Sequence, residues 1–390
     1  MTGLTIARPF LERAMKREIF DQDHELFRDN FRKFCEVEIR PHQQDWLKAG
    51  IVSRDIWKKA GEQGYLCPFV DEEYGGLGLK DYRYLQVMAE ELARIGESGF
   101  GLMLHNDVVA PYIDSFGTPE QKQRWLPRVV SGDAILAIGM TEPGTGSDLR
   151  GIKTRLEDKG THLLLNGSKI FITNGILADI VVVAAQYEDK GITLVVIERG
   201  MEGFQRGRKL EKMGMHSQDT AELFFENVVV PKENILGAPG MGFIMMMQKL
   251  AQERLACAVA AVAGSWFVFD QTLEYVKTRH AFGKPIGKFQ NTRFKMAEMK
   301  TEITIAQAFL DSLVLKHNRN ECSPEEACMA KYWTTDLLNK VAYEGTQLHG
   351  GYGYMMEYPV ARAYIDARIT TVFAGTNEIM KEVIGRGMGL

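Results

Sequence analysis

Residues 242–264 read GFIMMMQKLAQERLACAVAAVAG and form the most apolar helical stretch of the chain. Apolar and small residues dominate it except at Glu253 and Arg254, so the helix that it predicts is buried on most of its sides. Helical spacing places Glu253 on one stripe with Cys257 and Gly264. A buried carboxylate is rare unless it is paired or functional. It therefore indicates either an ion pair with a neighbouring helix or a catalytic base whose pKa is raised by burial.

The composition around this helix is that of a globular protein. The chain has 390 residues, too many for one ordinary core, which predicts two or three domains. Hydrophobic residues make up 45% and charged residues 25% of it. The formal net charge of −4 gives no electrostatic footprint for nucleic acid, and no apolar run is long and uninterrupted enough to span a bilayer. We therefore expect neither a nucleic-acid partner nor an integral membrane segment.

Cysteine and histidine usage excludes other classes. The 5 cysteines contain no CxxC pair and the 8 histidines no HExxH motif, so no metal site or disulfide framework is expected. Free thiols indicate a reducing compartment. Residues 1–20 lack the apolar core of a secretory signal, and Glu12, Glu18 and Asp21 weaken a transit-peptide interpretation. We expect a cytoplasmic protein if the source is bacterial, and a mitochondrial-matrix protein if it is eukaryotic.

Three regions of different periodicity follow one another. Residues 1–134 show helical patterns, with a clear helix start at Thr118-Pro119. Apolar runs of strand length then predict an antiparallel sheet, including a hairpin that turns at Asn166-Gly167. Long helical patterns follow, one of them opened by a capping box at Ser323. The predicted fold class is α+β multidomain: an N-terminal helical domain (1–134), a middle antiparallel β-barrel or sandwich domain (135–238) and a C-terminal four-helix-bundle-like domain (239–390).

Four motifs have residue types that suit a ligand. Glycines in residues 139–151 let backbone amides approach a ligand closely. In residues 279–290 an arginine beside an aromatic and a glycine turn suits a phosphate. Residues 347–353 form a glycine-rich turn after a long helix, and residues 374–378 form a small-residue turn that can cap the last helix. Each motif alone is equally compatible with an ordinary loop or cap.

Together, in this order and at these spacings, the motifs resemble the acyl-CoA dehydrogenase family over residues 25–387. Residues 139–151 and 347–366 are similar to the two signature segments of that family. The resemblance implies the helical, β and helical domain order and non-covalently bound FAD. It also implies a homotetramer, arranged as a dimer of dimers, that passes electrons to an electron-transfer flavoprotein.

The resemblance implies which residues contact FAD. Phe171 stands where a tryptophan is common in the family, which bears on how electrons leave. The residues expected around the flavin ring are Met140, Thr141, Ser147, Phe171 and Thr173. Arg279, Phe282 and Gln290 are expected to reach the FAD of a neighbouring subunit, and Gln347, Gly350 and Gly351 to contact the adenine and pyrophosphate. The residues expected to contact FAD from the terminal segment are Thr376, Asn377 and Glu378.

One departure from the family pattern bears on catalysis. Many members place the catalytic glutamate immediately before the Gly-Thr of the fourth motif, where this chain has Ala374. In the long-chain and isovaleryl branches the base lies instead in a Glu-Arg pair of the helix quoted above. Glu253-Arg254 matches that placement, so the resemblance implies Glu253 as the base. The residues expected to contact the acyl-CoA substrate are Ser147, Ala251, Gln252, Arg254, Ala374 and Gly375.

The amino-acid sequences of residues 207–214, 218–225 and 329–333 resemble those of the long-chain branch. The implied activity is FAD-dependent dehydrogenation of long-chain fatty acyl-CoA to trans-2-enoyl-CoA, the first step of β-oxidation. Three alternatives remain at this point. They are a dehydrogenase of branched short-chain acyl-CoA such as isovaleryl-CoA, an acyl-CoA oxidase, and a flavin-binding assembly protein without catalytic activity.

Overall fold

The computed structural model describes residues 17–390, so most of the segment weighed as a transit peptide lies outside the described residues. The chain forms two compact units. One comprises residues 34–85 and 97–256, and the other comprises the described residues up to 33 together with 86–96 and 257–390. The helical, β and helical order along the chain is confirmed. The domain boundaries at 134/135 and 238/239 stay a prediction.

From residue 17 onward, six α-helices precede the sheet. The predicted start at Thr118 is a capping box, in which the Thr118 side chain accepts a hydrogen bond from the Gln121 N–H and the Gln121 side chain accepts one from the Thr118 N–H. Two π-helical segments, Cys35–Ile39 and Leu104–Val109, lie in the same region. The helices are α1 (Gln22–Phe34), α2 (Gln43–Ala49), α3 (Asp55–Glu62), α4 (Arg83–Arg94), α5 (Ala110–Phe116) and α6 (Pro119–Val130).

The middle of the chain forms one eight-stranded sheet. Its strand order is β6-β7-β3-β2-β4-β5-β8, and β1 also pairs with β4. Most neighbours are antiparallel, as predicted, but β4 runs parallel to β1 and β2, so the sheet is mixed. The strands are β1 (Leu136–Gly139), β2 (Arg155–Asp158), β3 (His162–Thr173), β4 (Ile180–Tyr187), β5 (Gly191–Glu198), β6 (Phe204–Lys209), β7 (Thr220–Pro231) and β8 (Ile235–Leu236).

The hairpin predicted at Asn166-Gly167 is wrong. β3 continues through these residues and pairs with β7, with a register shift between Leu165 and Gly167. Gly167 has a φ of +147°, and a Cβ there would lie 2.5 Å from the Thr154 Oγ1. The Asn-Gly signal therefore marks a bulge inside a long strand, where only glycine fits, rather than a turn.

The core of this unit lies on both faces of β4. Val181 and Val183 belong to a buried cluster made by the strands, whereas Ile180 and Val182 belong to a second cluster that includes Tyr112 of α5. Successive strand residues point to opposite faces, so a strand covered on both sides is apolar at every position. This explains the continuous apolar run of β4.

The C-terminal part is helical apart from a short hairpin, β9 (His280–Ala281) and β10 (Lys284–Pro285). The first helix, α7, is long and apolar enough to cross a membrane by length and composition alone. Because 72% of its most apolar window is buried inside the protein, it is better explained as a core helix. The helices are α7 (Gly242–Thr278), α8 (Gln290–Asn318), α9 (Pro324–His349), α10 (Pro359–Ala367) and α11 (Asn377–Gly387).

α9 packs against α8, α10 and α11. The capping box predicted at Ser323 opens it. Near its end, Gly345 allows a close approach, because a Cβ there would lie 2.7 Å from Val268 of α7 and 3.2 Å from Val360 of α10. The sequence analysis did not identify α10, which is only 9 residues long.

Candidate active site

Glu253 is buried in α7, with 6% of its surface exposed. The hydroxyl of Tyr112, on α5, donates a hydrogen bond to Glu253 Oε1 at 2.8 Å. Within residues 17–390, no lysine, arginine or histidine nitrogen lies within 4.0 Å of the Glu253 carboxylate. Among the residues that the structure describes, the ion pair that was one of the two interpretations of Glu253 is therefore absent.

The environment of Glu253 makes it a stronger base than an exposed glutamate. Burial raises the pKa of Glu253 to about 7, against the opposing effects of the Tyr112 hydrogen bond and the positive charges of Arg254 and Lys249. A general base is most effective when its pKa lies near the working pH. The carboxyl of Glu253 therefore meets the electrostatic requirement for proton abstraction at neutral pH.

The neighbours of Glu253 on α7 have different surroundings. Gln252 uses its side-chain amide to donate a hydrogen bond to the Asp107 carbonyl at 2.8 Å, which ties α7 to the segment before α5. Arg254 is buried and Ala251 is half-buried. Asp107 is a second buried carboxyl: it accepts a hydrogen bond from the Tyr82 hydroxyl at 3.0 Å, and burial raises its pKa to about 7.

Tyr112 could not be predicted from the sequence as a partner of Glu253. It lies 141 positions from Glu253 in the chain, on a helix of only 7 residues. The segment Ala110-Pro111-Tyr112 has no feature that distinguishes a carboxylate partner from an ordinary core tyrosine. Only the three-dimensional structure brings the two side chains together.

The loop after β1, which carries Met140, Thr141 and Ser147, has a defined conformation. Glu142 and Thr145 exchange two backbone hydrogen bonds at 2.9 and 3.0 Å, and the Thr145 hydroxyl donates to the Gly151 carbonyl at 2.9 Å. Met140 and Thr141 are half-buried, whereas Ser147 is exposed. The loop therefore presents these side chains from a fixed backbone, which a ligand-binding loop requires.

A buried ion pair supports this loop. The Lys169 ammonium, fully buried in β3, donates to Glu142 Oε1 at 2.8 Å and to the Met140 carbonyl at 3.2 Å. The backbone N–H groups of Lys153 and Thr154 also donate to the Glu142 carboxylate. Burial lowers the pKa of Lys169 to about 8 despite the attraction of Glu142. Burial alone would raise the pKa of Glu142, but the hydrogen bonds from Lys169 and from this backbone outweigh it and lower that pKa.

This ion pair was not predicted from the sequence either, although the alternation of buried and exposed residues along β3 places Lys169 inside. Lys169 lies in phase with Leu163 and Leu165, both of which are fully buried. A lysine at an inward position of a buried strand requires a partner.

Phe171 lies beside this loop in an unusual backbone conformation. It has a φ of +60° and is 65% exposed. The register of β3 with β7 shifts between Lys169 and Ile172, and the N–H of Ile170 donates to the Thr141 carbonyl at 3.0 Å. The structure thus brings the Thr141 loop together with the Phe171 segment. A large aromatic held outward in a left-handed conformation is a feature that clusters at functional sites.

A second group of the predicted cofactor residues lines a cavity of about 480 Å³ in the C-terminal unit. Arg279 lies at the end of α7 and Gln347, Gly350 and Gly351 lie at the end of α9, and all four line this cavity. Gly350 has a φ of +59°, and nothing lies within 4 Å of the Cβ position of either glycine. The open space over these two glycines and the guanidinium of Arg279 suit a phosphate-containing ligand.

Two predicted cofactor residues lie outside the lining of this cavity. Phe282 stands at the tip of the β9–β10 hairpin with a φ of +49° and 95% of its surface exposed. Gln290 is the exposed first residue of α8. Both are thus accessible from outside the chain.

The last predicted motif forms the entry to α11. Ala374 and Gly375 have φ angles of +52° and +88°, and both are half-buried. Thr376 caps the helix, since its hydroxyl accepts a hydrogen bond from the Ile379 N–H. Glu378 is exposed in the first turn, where backbone N–H groups lower its pKa.

Asn377 has a different environment from its neighbours. Its side chain is 3% exposed. Its Oδ1 accepts a hydrogen bond from the buried Lys331 ammonium at 2.9 Å, and its Nδ2 donates to Asp336 at 2.8 Å and to Thr335 at 3.0 Å. These contacts attach α11 to α9, which favours a structural role for Asn377 over the predicted contact with a cofactor.

Three family models match the chain. They describe the N-terminal domain of acyl-CoA dehydrogenases over residues 21–133, the middle domain over 137–228 and the C-terminal domain over 240–389. The chain belongs to the acyl-CoA dehydrogenase family. The predicted resemblance is confirmed, and membership makes the protein an oxidoreductase that acts on acyl-CoA.

Relatives and solved structures agree with this family. The chain is 48% identical over 376 residues to "Long-chain specific acyl-CoA dehydrogenase, mitochondrial" of Mus musculus, covering 95% of this chain and 87% of that protein. An acyl-CoA dehydrogenase structure from Geobacillus kaustophilus is 50% identical with a TM-score of 0.94, covering 97% of this chain and 100% of the other. A glutaryl-CoA dehydrogenase from Mycobacterium smegmatis, in complex with FADH2, is 28% identical with a TM-score of 0.90, covering 96% of both chains.

Proposed function

We propose that this chain catalyses the FAD-dependent α,β-dehydrogenation of long-chain fatty acyl-CoA to trans-2-enoyl-CoA, the first step of fatty acid β-oxidation, with Glu253 as the base. The observation that carries the proposal is the buried Glu253 carboxyl, whose pKa is raised to about 7. The long-chain preference rests on the 48% identity to a relative of that specificity and on the small side chains of Ala251 and Ala374.

Glu253 removes the α-proton of the bound thioester. The α-carbon of a thioester is a very weak acid, so the reaction needs both a strong base and hydrogen-bond donors at the thioester carbonyl oxygen, where negative charge develops. Glu253 supplies the base because burial destabilises its ionised form. Gln252 and Arg254, its neighbours on α7, hold the helix and the substrate in position.

FAD is the proposed cofactor. When bound, it supplies the acceptor for the hydride that leaves the β-carbon of the substrate. The residues around the loop after β1 and Phe171 would hold the ring of FAD. The residues of the 480 Å³ cavity would hold a pyrophosphate and adenine, and Arg279 among them would reach the FAD of a neighbouring subunit. The outward-held Phe171, the open space over Gly350 and Gly351 and the guanidinium of Arg279 fit such a group. The solved neighbour in complex with FADH2 supports the same cofactor.

We further propose a homotetramer, a dimer of dimers, that passes its electrons to an electron-transfer flavoprotein. Phe282, exposed at its hairpin tip, would reach the cofactor of a neighbouring subunit. Large exposed apolar side chains on α8 and α9 support subunit contacts there, because such surfaces mark interaction sites. They include Phe294, Ile305, Trp333 and Tyr343. Analytical ultracentrifugation tests this assembly, and a monomer at micromolar concentration would refute it.

The proposed compartment is the cytoplasm if the source is bacterial and the mitochondrial matrix if the source is eukaryotic. Glutathione and thioredoxin keep thiols reduced in the cytoplasm, which suits the 5 free cysteines. The mitochondrial relative supports the matrix as the location in a eukaryotic source.

The central test is Glu253→Gln, which keeps the shape of the side chain and an acceptor for Tyr112. Because a positioned general base contributes about 10²–10⁴-fold, anaerobic bleaching of the flavin by palmitoyl-CoA should slow by about that factor. FAD should remain bound, as read from its visible absorbance. Asp107→Asn is the matched control, since Asp107 is the other buried carboxyl of raised pKa in this region. Turnover within threefold of wild type in Glu253→Gln would exclude Glu253 as the base.

Substrate and acceptor assays separate the alternatives. A steady-state panel from butyryl-CoA to stearoyl-CoA that includes isovaleryl-CoA distinguishes a long-chain enzyme from an isovaleryl-CoA dehydrogenase. Peroxide release compared with reduction of an electron-transfer flavoprotein identifies an oxidase. A flavin that no acyl-CoA bleaches would indicate the assembly protein.

A further inference from the structure

The hydroxyl of Tyr112 is the one hydrogen-bond donor to the Glu253 carboxylate in the described part of the chain. It binds Oε1 at 2.8 Å, and Oε2 accepts no hydrogen bond from residues 17–390. The two oxygens of this carboxylate are therefore not equivalent. Oε1 is held by the Tyr112 hydroxyl, whereas Oε2 has no such contact with the described residues.

Packing fixes the position of the Tyr112 hydroxyl. The side chain is fully buried in the apolar cluster that also contains Met245 and Met246 of α7, and its ring lies 6.1 Å from that of Phe116. A tyrosine has only two side-chain torsions, so a ring enclosed in this way has little freedom. A buried hydroxyl also needs a partner, and Glu253 is the partner here.

The backbone before Tyr112 is irregular. The π-helical segment Leu104–Val109 runs directly into α5, which carries Tyr112. π-helical turns are rare and frequently occur at functional sites. The same segment accepts the hydrogen bond from Gln252, so two successive residues of α7, Gln252 and Glu253, are both attached to the 104–116 region.

We propose that Tyr112 is a positioning residue for Glu253: its hydroxyl holds Oε1 and thereby directs Oε2 towards the α-proton of the substrate. This inference rests on the proposed function of Glu253 as the base. Tyr112 is not itself a proton carrier in this scheme. Its burial and the charge of Glu253 raise the pKa of the phenol well above its usual value, so it remains a donor at every working pH.

Other charged groups near Glu253 do not replace this hydrogen bond. Among the described residues, those that act on the Glu253 carboxyl besides Tyr112 are Lys249 and Arg254 of its own helix. Both favour the ionised form through their charge. The Lys249 ammonium donates to the Ser115 hydroxyl at 2.6 Å. Tyr112 is thus the contact that selects between the two oxygens.

The test uses Tyr112→Phe in the FAD-loaded enzyme with palmitoyl-CoA as substrate. The ring and its packing remain, and only the hydroxyl is removed. Because the ionised carboxylate loses its donor, we expect the pKa of Glu253 to rise and the acidic limb of the kcat profile to move up by about one pH unit, which lowers turnover at pH 7 by about fivefold. KM, the flavin absorbance and the melting temperature should change little.

Tyr82→Phe is the matched control. It removes the same kind of hydrogen bond, from a tyrosine hydroxyl to the buried carboxyl of Asp107 at 3.0 Å, and should leave the acidic limb where it is. A second measurement introduces Tyr112→Phe into Glu253→Asp. The shortened carboxylate is withdrawn from the hydroxyl, so Tyr112→Phe should change kcat less than twofold in that background.

The outcomes separate this inference from the proposed function. An unchanged acidic limb and unchanged kcat in Tyr112→Phe, together with an inactive Glu253→Gln, would overturn the positioning role alone. Equal effects of Tyr112→Phe in the wild-type and Glu253→Asp backgrounds would do the same. An active Glu253→Gln would instead remove the base itself, and with it the ground for both proposals.

Discussion

Removing the buried charge of Glu142 should destabilise the loop that carries the proposed flavin contacts. In Glu142→Gln the fully buried Lys169 ammonium loses its counter-charge and keeps only neutral acceptors, the new amide oxygen and the Met140 carbonyl at 3.2 Å. Breaking a buried ion pair from one side costs about 3–5 kcal/mol. The new amide group also cannot accept hydrogen bonds from both Lys153 and Thr154, which adds about 1 kcal/mol or more. We therefore expect a loss of at least about 4 kcal/mol in the free energy of unfolding.

The reverse substitution, Lys169→Met, should cost less. Glu142 would then remain ionised with the backbone N–H groups of Lys153 and Thr154 as donors, at 2.7 and 2.9 Å. A carboxylate that accepts two backbone N–H groups is better compensated than an ammonium that has only neutral oxygen acceptors and no counter-charge. We therefore expect Glu142→Gln to lower the free energy of unfolding more than Lys169→Met does. This order follows from the two backbone N–H groups that remain bonded to Glu142.

The effect of Glu142→Gln also depends on pH. Glu142 raises the pKa of Lys169, so without it burial lowers that pKa further below its wild-type value of about 8. The folded variant then binds fewer protons than the unfolded chain just below pH 8, so its stability rises with pH in that range. The difference in the free energy of unfolding between Glu142→Gln and wild type should therefore become smaller as the pH rises towards 8.

Urea unfolding of the purified holoenzyme at pH 6 to 8, followed by circular dichroism and flavin fluorescence, measures these effects. Glu302→Gln is the matched control, since it breaks an exposed pair with Lys340 at 2.7 Å and should change stability by less than about 1 kcal/mol. The reasoning is refuted if Glu142→Gln is no less stable than Glu302→Gln, or if Lys169→Met is the less stable member of the buried pair.

Three further substitutions test other features. Phe171→Gly should stabilise the FAD-free protein by about 1 kcal/mol, because glycine relieves the φ of +60°. The same variant should release FAD more readily in equilibrium dialysis. Tighter FAD binding would contradict the proposed flavin contact of Phe171. Asn377→Ala should lower the free energy of unfolding by about 2–4 kcal/mol without changing FAD affinity, and an affinity loss without a stability loss would favour a cofactor contact. Asp107→Asn should stabilise the folded protein by up to about 4 kcal/mol at pH 8 and hardly at pH 4. The reason is that the pKa of Asp107 in the folded protein, about 7, lies above the ordinary value of 3.8. A gain in stability that does not depend on pH in thermal melts would exclude this cause.

Much of the fold was predictable from local signals. Thr118 and Ser323 open helices through capping boxes, in which side chains within four residues satisfy the free N–H groups, so sequence alone identifies them. The buried helix around Glu253 followed from the apolar content of residues 242–264, although α7 continues beyond them to Thr278. The hairpin at Asn166-Gly167 was wrong because a positive φ at glycine serves a bulge as well as a turn, and long-range pairing of β3 with β7 decides between them.

The candidate site was predictable in part, for a different reason. Glu253 and four of the residues that line the 480 Å³ cavity were identified from motifs, each contiguous in sequence. Tyr112 was not identified, because its role depends on a hydrogen bond to a residue 141 positions away. The Asn377 environment was missed because its partners lie on α9. Contacts between distant segments have no local signature, so only the folded structure reveals them.

The φ of +52° at Ala374 has an evolutionary consequence. A single base change in an alanine codon leads to valine, threonine, serine, proline, glycine, aspartate or glutamate. Valine and threonine are branched at Cβ and are poorly tolerated at this backbone angle, and the ring of proline forbids it. The single-base substitutions of Ala374 that this backbone angle tolerates best are therefore those to glycine, serine, aspartate and glutamate. A carboxylate next to Gly375 is thus accessible by a single mutation, in addition to the carboxylate of the proposed base Glu253.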